Sequence, residues 1–280
     1  MSLTSLLARR DVRALLDRHL LDPPRRPVPP LLTPRSGVTP TLVGTANDYA
    51  LRWRLERYYT HRNTPVVSGP WVAQEMARAI LTGRAFAWRA PEAQARLQAG
   101  RRAHARFFSG EERQLSAASA RALLGLAQLD QVYREGLEAP LTQALDERDV
   151  QDLLALQGPV DEALLRARER VVLNPHFGRA SRLVGGADAD FVLDGTLIDL
   201  KTVSRGVIGV EVRRQLLGYL LLWELDGRRL NGDTPVTLNA VGVYLARHRT
   251  LISWPLEDLI GPGSLPALAA EFAQLVAAVA

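Results

Sequence analysis

The chain has 280 residues, of which 47% are apolar, carries a formal net charge of +5 and contains no cysteine. The lack of cysteine excludes disulfides, thiolate zinc sites, a cysteine nucleophile and a cysteine-ligated iron–sulfur cluster, so a metal would bind carboxylates, carbonyls or histidine. No apolar run approaches the ~20 residues of a membrane-spanning helix, and no apolar signal core follows the first arginines, so we expect a cytoplasmic protein without a membrane partner.

Helical periodicity dominates the first half of the chain. An arm at residues 22–41 interrupts it, because its seven prolines favour extended backbone. Thr45 is the predicted N-cap of the helix that follows this arm. We therefore predict a mostly helical N-terminal region at 1–155, with helices over 2–21, 45–62, 70–82, 91–108 and 116–147.

From residue 156 onward the pattern changes to mixed helices and strands. Gly158 and Pro159 interrupt the chain, and a helix is predicted directly after them over 161–172. The alternation that follows is typical of an α/β core, a mixed sheet flanked by helices. We predict this core at 156–280, with strands over 187–193, 196–203, 236–246 and 250–254 and helices over 207–226 and 264–280.

A tight hairpin joins the first two of these strands. Asp194 and Gly195 form a dipeptide that two-residue type I′ turns prefer. With this turn, Phe191 faces Ile198 across the hairpin. Residues two apart on a strand share a face, so we expect Phe191, Ile198 and Leu200 to lie on an apolar side that faces the core.

The other side of the hairpin collects charged residues. The same register places Asp190 opposite Asp199 and Asp188 opposite Lys201, and directly opposed residues share a face. Three neighbouring carboxylates repel one another, and a divalent cation would relieve that repulsion. Carboxylates favour hard ions, so we predict a Mg²⁺ or Mn²⁺ site on Asp188, Asp190 and Asp199. The alternative is an exposed hairpin whose acids face water.

Lys201 is the one lysine among the 35 basic residues. Most surface lysines can be replaced by arginine, whereas a position that needs a compact ammonium with a tunable pKa cannot. Beside a metal, this ammonium would orient or deprotonate a water, or would stabilise charge on a phosphate. We therefore predict a catalytic role for Lys201; the alternative is a lysine that survived by chance.

The helix over 207–226 carries a polar stripe on an otherwise apolar surface. Glu211, Gln215 and Tyr219 are spaced four apart and so share one face. If this helix packs beside the hairpin, Gln215 and Tyr219 reach its charged side, while Arg213 and Arg214 contact a phosphate backbone. The alternative for Tyr219 is a core aromatic with a satisfied hydroxyl.

Together these motifs resemble the PD-(D/E)XK nuclease superfamily. The matching segments are GADAD at 186–190, IDLK at 198–201 and QLLGY at 215–219. The Q-x-x-x-Y helix is similar to that of the RecB-type and lambda-exonuclease-like branch, and the resemblance covers about residues 160–250. It implies a restriction-endonuclease-like core of a helix, a three- or four-stranded sheet and a crossing helix. It also implies Mg²⁺- or Mn²⁺-dependent hydrolysis of DNA phosphodiester bonds.

The resemblance further implies roles for single residues. Asp190 and Asp199 match the family's metal-binding acids, and Lys201 matches its lysine. Gln215 and Tyr219 match the accessory motif on the following helix.

The family usually adds a glutamate from the helix before the first strand. Glu162 and Glu169 lie on one face of the predicted helix over 161–172, and we favour Glu169 because it is nearer the sheet. Asp188 is an extra ligand candidate, and His176 lies just before the sheet. The branch sometimes carries an iron–sulfur cluster, which the lack of cysteine excludes.

We expect a nucleic-acid partner, with DNA favoured by the resemblance and a polyanion by the basic charge. The sequence indicates no particular protein partner. Residues 44–52 look like a helix N-terminus that packs over the site. Two alternatives stay open: a catalytically inactive nuclease-fold protein that binds nucleic acid or acts as a scaffold, and a helical protein whose partner-binding function lies in residues 1–150.

Overall fold

A six-stranded mixed sheet with helices on both faces forms the centre of the protein. The computed structural model describes residues 3–232 and 234–278. The strand order is β1-β2-β3-β4-β7-β8, and β5 and β6 form a separate small hairpin. The strands are β1 (Val66–Ser68), β2 (Val171–Leu173), β3 (Phe191–Leu193), β4 (Thr196–Lys201), β5 (Arg229–Leu230), β6 (Thr234–Pro235), β7 (Ala240–Leu245) and β8 (Thr250–Pro255). The predicted α/β class with a mixed sheet is therefore confirmed.

Helices make up most of the remaining described chain. In the part of the chain that the structure describes, no helix combines the length and apolar character needed to cross a membrane. The helices are α1 (Leu3–Leu7), α2 (Arg10–His19), α3 (Pro40–Thr60), α4 (Val72–Leu81), α5 (Ala90–Ser109), α6 (Ala117–Glu135), α7 (Ala139–Thr142), α8 (Glu147–Ala155), α9 (Gly178–Leu183), α10 (Val210–Leu225), α11 (Leu256–Leu259) and α12 (Leu265–Ala277).

The sheet separates two apolar cores because side chains alternate along each strand. Val192 and Leu197 point to the core formed with α1, α2, α10 and α12. Phe191 and Ile198 point to the opposite core, which is formed with α3 to α8. β1 comes from the helical first half and pairs in parallel with β2. Both halves of the chain therefore share the sheet, and the boundary near residue 155 stays a prediction.

Helix α10 connects two parallel neighbours in the middle of the sheet. β4 and β7 pair in parallel, with Asp199 beside Val243 and Lys201 beside Leu245. A parallel pair requires a crossover connection, which α10 provides while burying its apolar residues against the sheet. This connection brings α10 over the end of β4 that carries Asp199 and Lys201.

The predicted hairpin turn is confirmed. Asp194 and Gly195 both have positive φ, of 44° and 84°, as a type I′ turn requires. Phe191 pairs with Ile198 as predicted, but the ladder ends there. The predicted opposition of Asp188 and Lys201 is therefore wrong as strand pairing. Asp188 forms an isolated antiparallel bridge with His176 instead.

Two predicted helices are divided, and one begins earlier than predicted. The helix over 2–21 breaks between α1 and α2, and the part at residue 2 lies outside the described residues. The helix over 116–147 ends at Gly136, whose φ of 67° terminates α6. Thr45 is not an N-cap, because α3 begins at Pro40. The amides of Val38 and Thr39, which precede this helix, donate to the Asp149 carboxylate at 2.7 and 2.9 Å.

The predicted helix over 161–172 is wrong. Only one 3-10 turn, Glu162–Leu165, forms there. The amides of residues 168 to 170 donate to the Asp194 carboxylate at 2.7 to 3.0 Å rather than to helical carbonyls. This hairpin-turn aspartate therefore draws the segment into an extended path that continues as β2.

The proline-rich arm forms no helix or strand over 22–39, where α3 has not yet begun, and it lies against the folded chain. The backbone amides of Leu32 and Thr33 both donate to the carbonyl of Arg247 at 3.0 Å. The Arg247 side chain donates in turn to the two oxygens of Asp152, at 2.9 and 2.7 Å, and both side chains are almost completely buried. Asp152 also accepts from Ser36 in the arm. This buried pair therefore links α8, the arm and the segment after β7.

Replacing Asp152 with alanine is expected to destabilise the protein by ~3–5 kcal/mol, because it leaves the Arg247 guanidinium buried without a counter-charge. Urea unfolding of wild type and variant measures the change. Arg148→Ala is the control, since its ion pair with Asp146 is exposed and such pairs contribute ~0–1 kcal/mol. Equal losses in the two variants would contradict this account.

Candidate active site

Four predicted site residues meet at the end of β4, on the face covered by α10. Lys201 Nζ lies 2.8 Å from Asp199 Oδ2 and donates to Gln215 Oε1 at 2.9 Å. Gln215 Nε2 donates to the Tyr219 hydroxyl at 2.8 Å. The predicted stripe on α10 therefore does pack beside the hairpin, and the ammonium of Lys201 contacts both Gln215 and Asp199.

Asp190 joins this group because its side chain accepts a hydrogen bond from the backbone of β4. Its carbonyl accepts from the amide of Asn174 at 2.9 Å, while its carboxylate accepts from the amide of Leu200 at 2.5 Å. A regular ladder would have used a backbone carbonyl for the Leu200 amide. The side chain of Asp190 is thus fixed beside β4, on the strand segment between Asp199 and Lys201.

Burial dominates the electrostatics of this group. Asp199 is only 2% exposed. Burial raises its pKa to about 7, Lys201 opposes that rise, and the charge of Asp190 adds to it. Burial also raises the pKa of Asp190, against the hydrogen bond from Leu200 and the charge of Lys201. The positive charges of Lys201, Arg52 and Arg134 therefore do not fully offset the burial of these carboxylates, and a further positive charge would be stabilised here.

Tyr219 is a buried neutral phenol at this site. Burial, followed by the charges of Asp199 and Asp190, raises its pKa well above the ordinary value. Its ring stacks on Phe177 with centroids 5.7 Å apart. Tyr219 is therefore both a packed aromatic and the anchor of the Gln215 amide, which combines the two interpretations of its sequence position.

Helix α3 covers the open end of the site. Gly44 packs near the Thr202 side chain, and Asn47 Nδ2 donates to Thr202 Oγ1 at 3.3 Å. Residues 44–52 therefore lie beside the end of β4, but the predicted helix N-terminus there is wrong, because α3 begins at Pro40. The helix also carries Asp48, a carboxylate that was absent from the predicted set.

Asp48 belongs to a second group of charges next to the first. Burial raises its pKa to about 7, its partner Arg52 opposes the rise, and Asp190 adds to it. Arg134 on α6 pairs with Asp130, which is 1% exposed. The segment 44–52 was predicted to pack over the site, but the spacing of Asp48 from the hairpin, over 140 residues, gives no indication that they meet.

The charges that act on Asp188 include those of Arg134, Arg52 and Asp130 in this second group. Burial raises the pKa of Asp188, and Arg134 and then Arg52 oppose that rise. In the described residues, no group of three His, Cys, Asp or Glu side chains forms a ready metal-binding cluster. The predicted three-ligand site on Asp188, Asp190 and Asp199 therefore stays a prediction.

The two candidate glutamates lie away from the site. Glu162 is exposed and pairs with Arg166. Glu169 is exposed beside the Asp194 turn, at the opposite end of the hairpin from Asp199 and Lys201. Glu169 does not reach the predicted site, for the same reason that the helix over 161–172 does not form: its amide donates to the Asp194 carboxylate. His176 forms a backbone bridge with Asp188, and its charge opposes the rise in the pKa of Asp188.

Arg213 and Arg214 have intramolecular partners rather than open positions. Arg213 donates to the Leu21 carbonyl at 3.0 Å. Arg214 forms a two-pronged ion pair with Asp17 at 2.8 and 2.7 Å. These arginines attach α10 to α2 and to the start of the arm, so the predicted phosphate contacts would require breaking this packing.

A hard divalent ion fits the donor set at Asp190 and Asp199. Oδ1 of Asp48 is buried without a hydrogen-bond partner, and Oδ2 of Asp199 is buried with the Lys201 ammonium 2.8 Å away. Mg²⁺ typically uses one or two protein carboxylates and completes its shell with waters and phosphate oxygens. Two acids with a deficit of positive charge therefore suit such an ion without a third protein ligand.

In comparisons with known proteins, no family model, no curated protein and no solved structure matches the chain.

Metal-free protein is expected to lose stability as the pH rises from about 4 to about 7. Asp199 and Asp48 bind protons more tightly in the folded state than in the unfolded chain, so unfolding is penalised less at higher pH. Asp199→Asn should reduce the fall in melting temperature between pH 5 and 8 in EDTA by roughly 5 °C.

Asp146→Asn is the control for this experiment. Asp146 is exposed, and hydrogen bonds from Arg148 lower its pKa to about 2, so it does not titrate between pH 5 and 8. Its substitution should leave the slope as in wild type. A wild-type slope in Asp199→Asn as well would show that the Asp199 carboxylate is not perturbed by burial.

Proposed function

We propose that the protein is a Mg²⁺- or Mn²⁺-dependent nuclease that hydrolyses phosphodiester bonds in DNA. The observation that carries this proposal is the fixed lysine. Lys201 lies 2.8 Å from Asp199 and 2.9 Å from Gln215, beside Asp190, at the end of a central strand. The one lysine of the chain thus lies among the acids that suit a hard cation.

The side chains have separable roles in this proposal. Asp190 and Asp199 hold the metal, which when bound supplies positive charge to a phosphate and acidifies a water. Lys201 orients that water or stabilises charge on the phosphate through its ammonium. Gln215 accepts a hydrogen bond from the ammonium and thereby orients it, and Tyr219 orients Gln215 by accepting a hydrogen bond from its amide.

Asp48 replaces the glutamate that the family resemblance implies. It comes from α3, which precedes the first strand. It lies close enough to Asp190 that the charge of Asp190 raises the pKa of Asp48. In the observed conformation, Arg52 neutralises it. We assign Asp48 to the role of the additional acid, and not Glu162 or Glu169.

The chain topology supports the same proposal. β2, β3 and β4 form an antiparallel set, and α10 then crosses to β7, which pairs in parallel with β4. This order matches the sheet and crossing helix that the resemblance implies, and α3 occupies the place of the preceding helix. We propose a restriction-endonuclease-like core, with α4 to α8 as an addition.

A second candidate function is a catalytically inactive nuclease-fold protein that binds nucleic acid. The observation that favours it is the pairing of acids with basic side chains inside the site. Arg52 pairs with Asp48, Arg134 with Asp130 and Lys201 with Asp199. These pairs offset part of the negative charge without a metal.

Cleavage of plasmid and of linear single-stranded DNA, with Mg²⁺ or with EDTA, separates the two functions. Lys201→Ala and Asp199→Ala are each expected to lower the turnover rate by ~10²–10⁴, the range typical of removing a positioned acid–base group. Asp48→Asn should also lower it. Glu169→Gln is the matched control, because that acid lies at the other end of the hairpin.

Two results would contradict the proposed nuclease. Activity in EDTA equal to that in Mg²⁺ would contradict a metal-dependent mechanism. A lack of cleavage by wild type on both substrates, and on single-stranded RNA, would favour the inactive protein.

A further inference from the structure

A basic groove runs along the outer side of α3. Its volume is about 880 Å³, and it lies between α3, the chain around residues 107–115 and the chain around 154–159. Among the described residues that line it are four arginines and one histidine, and none is acidic. We call this surface the arginine groove, after Arg54, Arg57, Arg62 and Arg113.

Two of these arginines build the walls of the groove. Arg54 donates to the carbonyl of Gly158 at 2.6 Å. Arg57 donates to the carbonyls of Phe107 and Glu112 at 3.0 and 3.1 Å. Their charges are therefore fixed in place by backbone oxygens rather than neutralised by carboxylates, and they remain available to an anion.

The other two arginines are exposed and have no carboxylate partner among the described residues. The guanidinium of Arg62 lies over the Tyr58 ring, 3.9 Å from its centroid. Arg113 is exposed and makes no described ion pair. Neither guanidinium has to leave a carboxylate in order to meet a phosphate, which favours binding of a polyanion.

Aromatic rings lie between the arginines. Tyr58 and Phe107 are half-buried in the groove, and the guanidinium of Arg57 lies 4.9 Å from the Phe107 centroid. Bases stack on aromatic rings and on guanidinium planes only when they are unpaired. Arginines interleaved with rings therefore suit a single strand better than a duplex.

Hydrogen bonds connect the arginine groove with the site. Gln157 lines the groove and donates to Asn47 Oδ1 at 3.3 Å. Asn47 donates to Thr202, the residue after Lys201, also at 3.3 Å. The groove and the end of β4 are thus two hydrogen bonds apart, linked by the buried Asn47 side chain.

We propose that the arginine groove binds a single strand of nucleic acid and leads it to Lys201. This inference rests on the proposed nuclease function for its direction, but the binding step does not require cleavage. Phosphates contact Arg54, Arg57, Arg62 and Arg113, and a base stacks against Tyr58 or its covering guanidinium.

Fluorescence anisotropy of a labelled oligothymidine in EDTA tests binding apart from catalysis. The double variant Arg62→Ala/Arg113→Ala should weaken affinity roughly tenfold at low salt, and the slope of log affinity against log salt should fall by ~1.4, about 0.7 for each phosphate contact. Arg10→Ala/Arg168→Ala is the matched control, because both arginines are exposed and lie outside the groove.

The stacking contribution needs its own pair of variants. Tyr58→Phe keeps the ring and should keep the affinity, whereas Tyr58→Leu removes it and should lower affinity roughly fivefold or more. Oligouridine provides the RNA arm, and binding of either strand supports the inference while the tighter one identifies the substrate. Duplex DNA that binds as tightly as the single strand would overturn it.

Cleavage measurements keep this inference distinct from the proposed function. In Mg²⁺, the arginine double variant should raise KM for single-stranded DNA and leave kcat unchanged. Binding through the groove without any cleavage would refute the nuclease and leave the groove. Equal binding and equal KM in wild type and double variant would refute the groove and leave the nuclease.

Discussion

The burial of carboxylates beside one another is the interaction on which the site depends. Where α10 packs over β4, Asp199 is buried and Asp190 is half-buried, and this burial raises the pKa of both. Such an arrangement is unfavourable unless positive charge accompanies it. Lys201 supplies one charge, and Gln215 and Tyr219 hold that charge in a single orientation. The fold thereby retains a local deficit of positive charge that a hard cation would correct.

Helix α3 connects this site with the rest of the molecule. Near its start it places Asn47 and Asp48 over the end of β4, and further along it lines the arginine groove. The buried pair of Asp152 and Arg247 attaches the proline-rich arm, which leads directly into α3, to α8 and to the end of β7. The helical first half is therefore part of the architecture of the site rather than an appendage.

The sequence was sufficient where local patterns determine structure. The Asp194–Gly195 turn set the register of Phe191 and Ile198, and the four-residue spacing on α10 placed Gln215 and Tyr219 on one face. Both are short-range effects of backbone geometry. The core class followed from the same alternation of elements.

Long-range contacts decided what the sequence did not reveal. The Asp194 carboxylate accepts hydrogen bonds from the amides of residues 168 to 170, which would otherwise belong to the predicted helix. Glu169 therefore lies at the far end of the hairpin. The Asp190 carboxylate replaces a backbone acceptor at Leu200, which ends the ladder before Asp188. Asp48 reaches the site from a distant part of the chain. Each of these outcomes depends on contacts between segments that are distant in the sequence. The spacing of apolar and polar residues along the chain does not indicate such contacts.

The most direct test of the central claim is anomalous X-ray diffraction from a crystal soaked in Mn²⁺. We expect an anomalous peak within ~2.0–2.6 Å of carboxylate oxygens of both Asp190 and Asp199, the range between magnesium–oxygen and calcium–oxygen distances, and we expect its loss in Asp199→Asn. A well-occupied wild-type crystal with no peak between these two residues, and with Arg52 and Lys201 still paired to the acids, would contradict it.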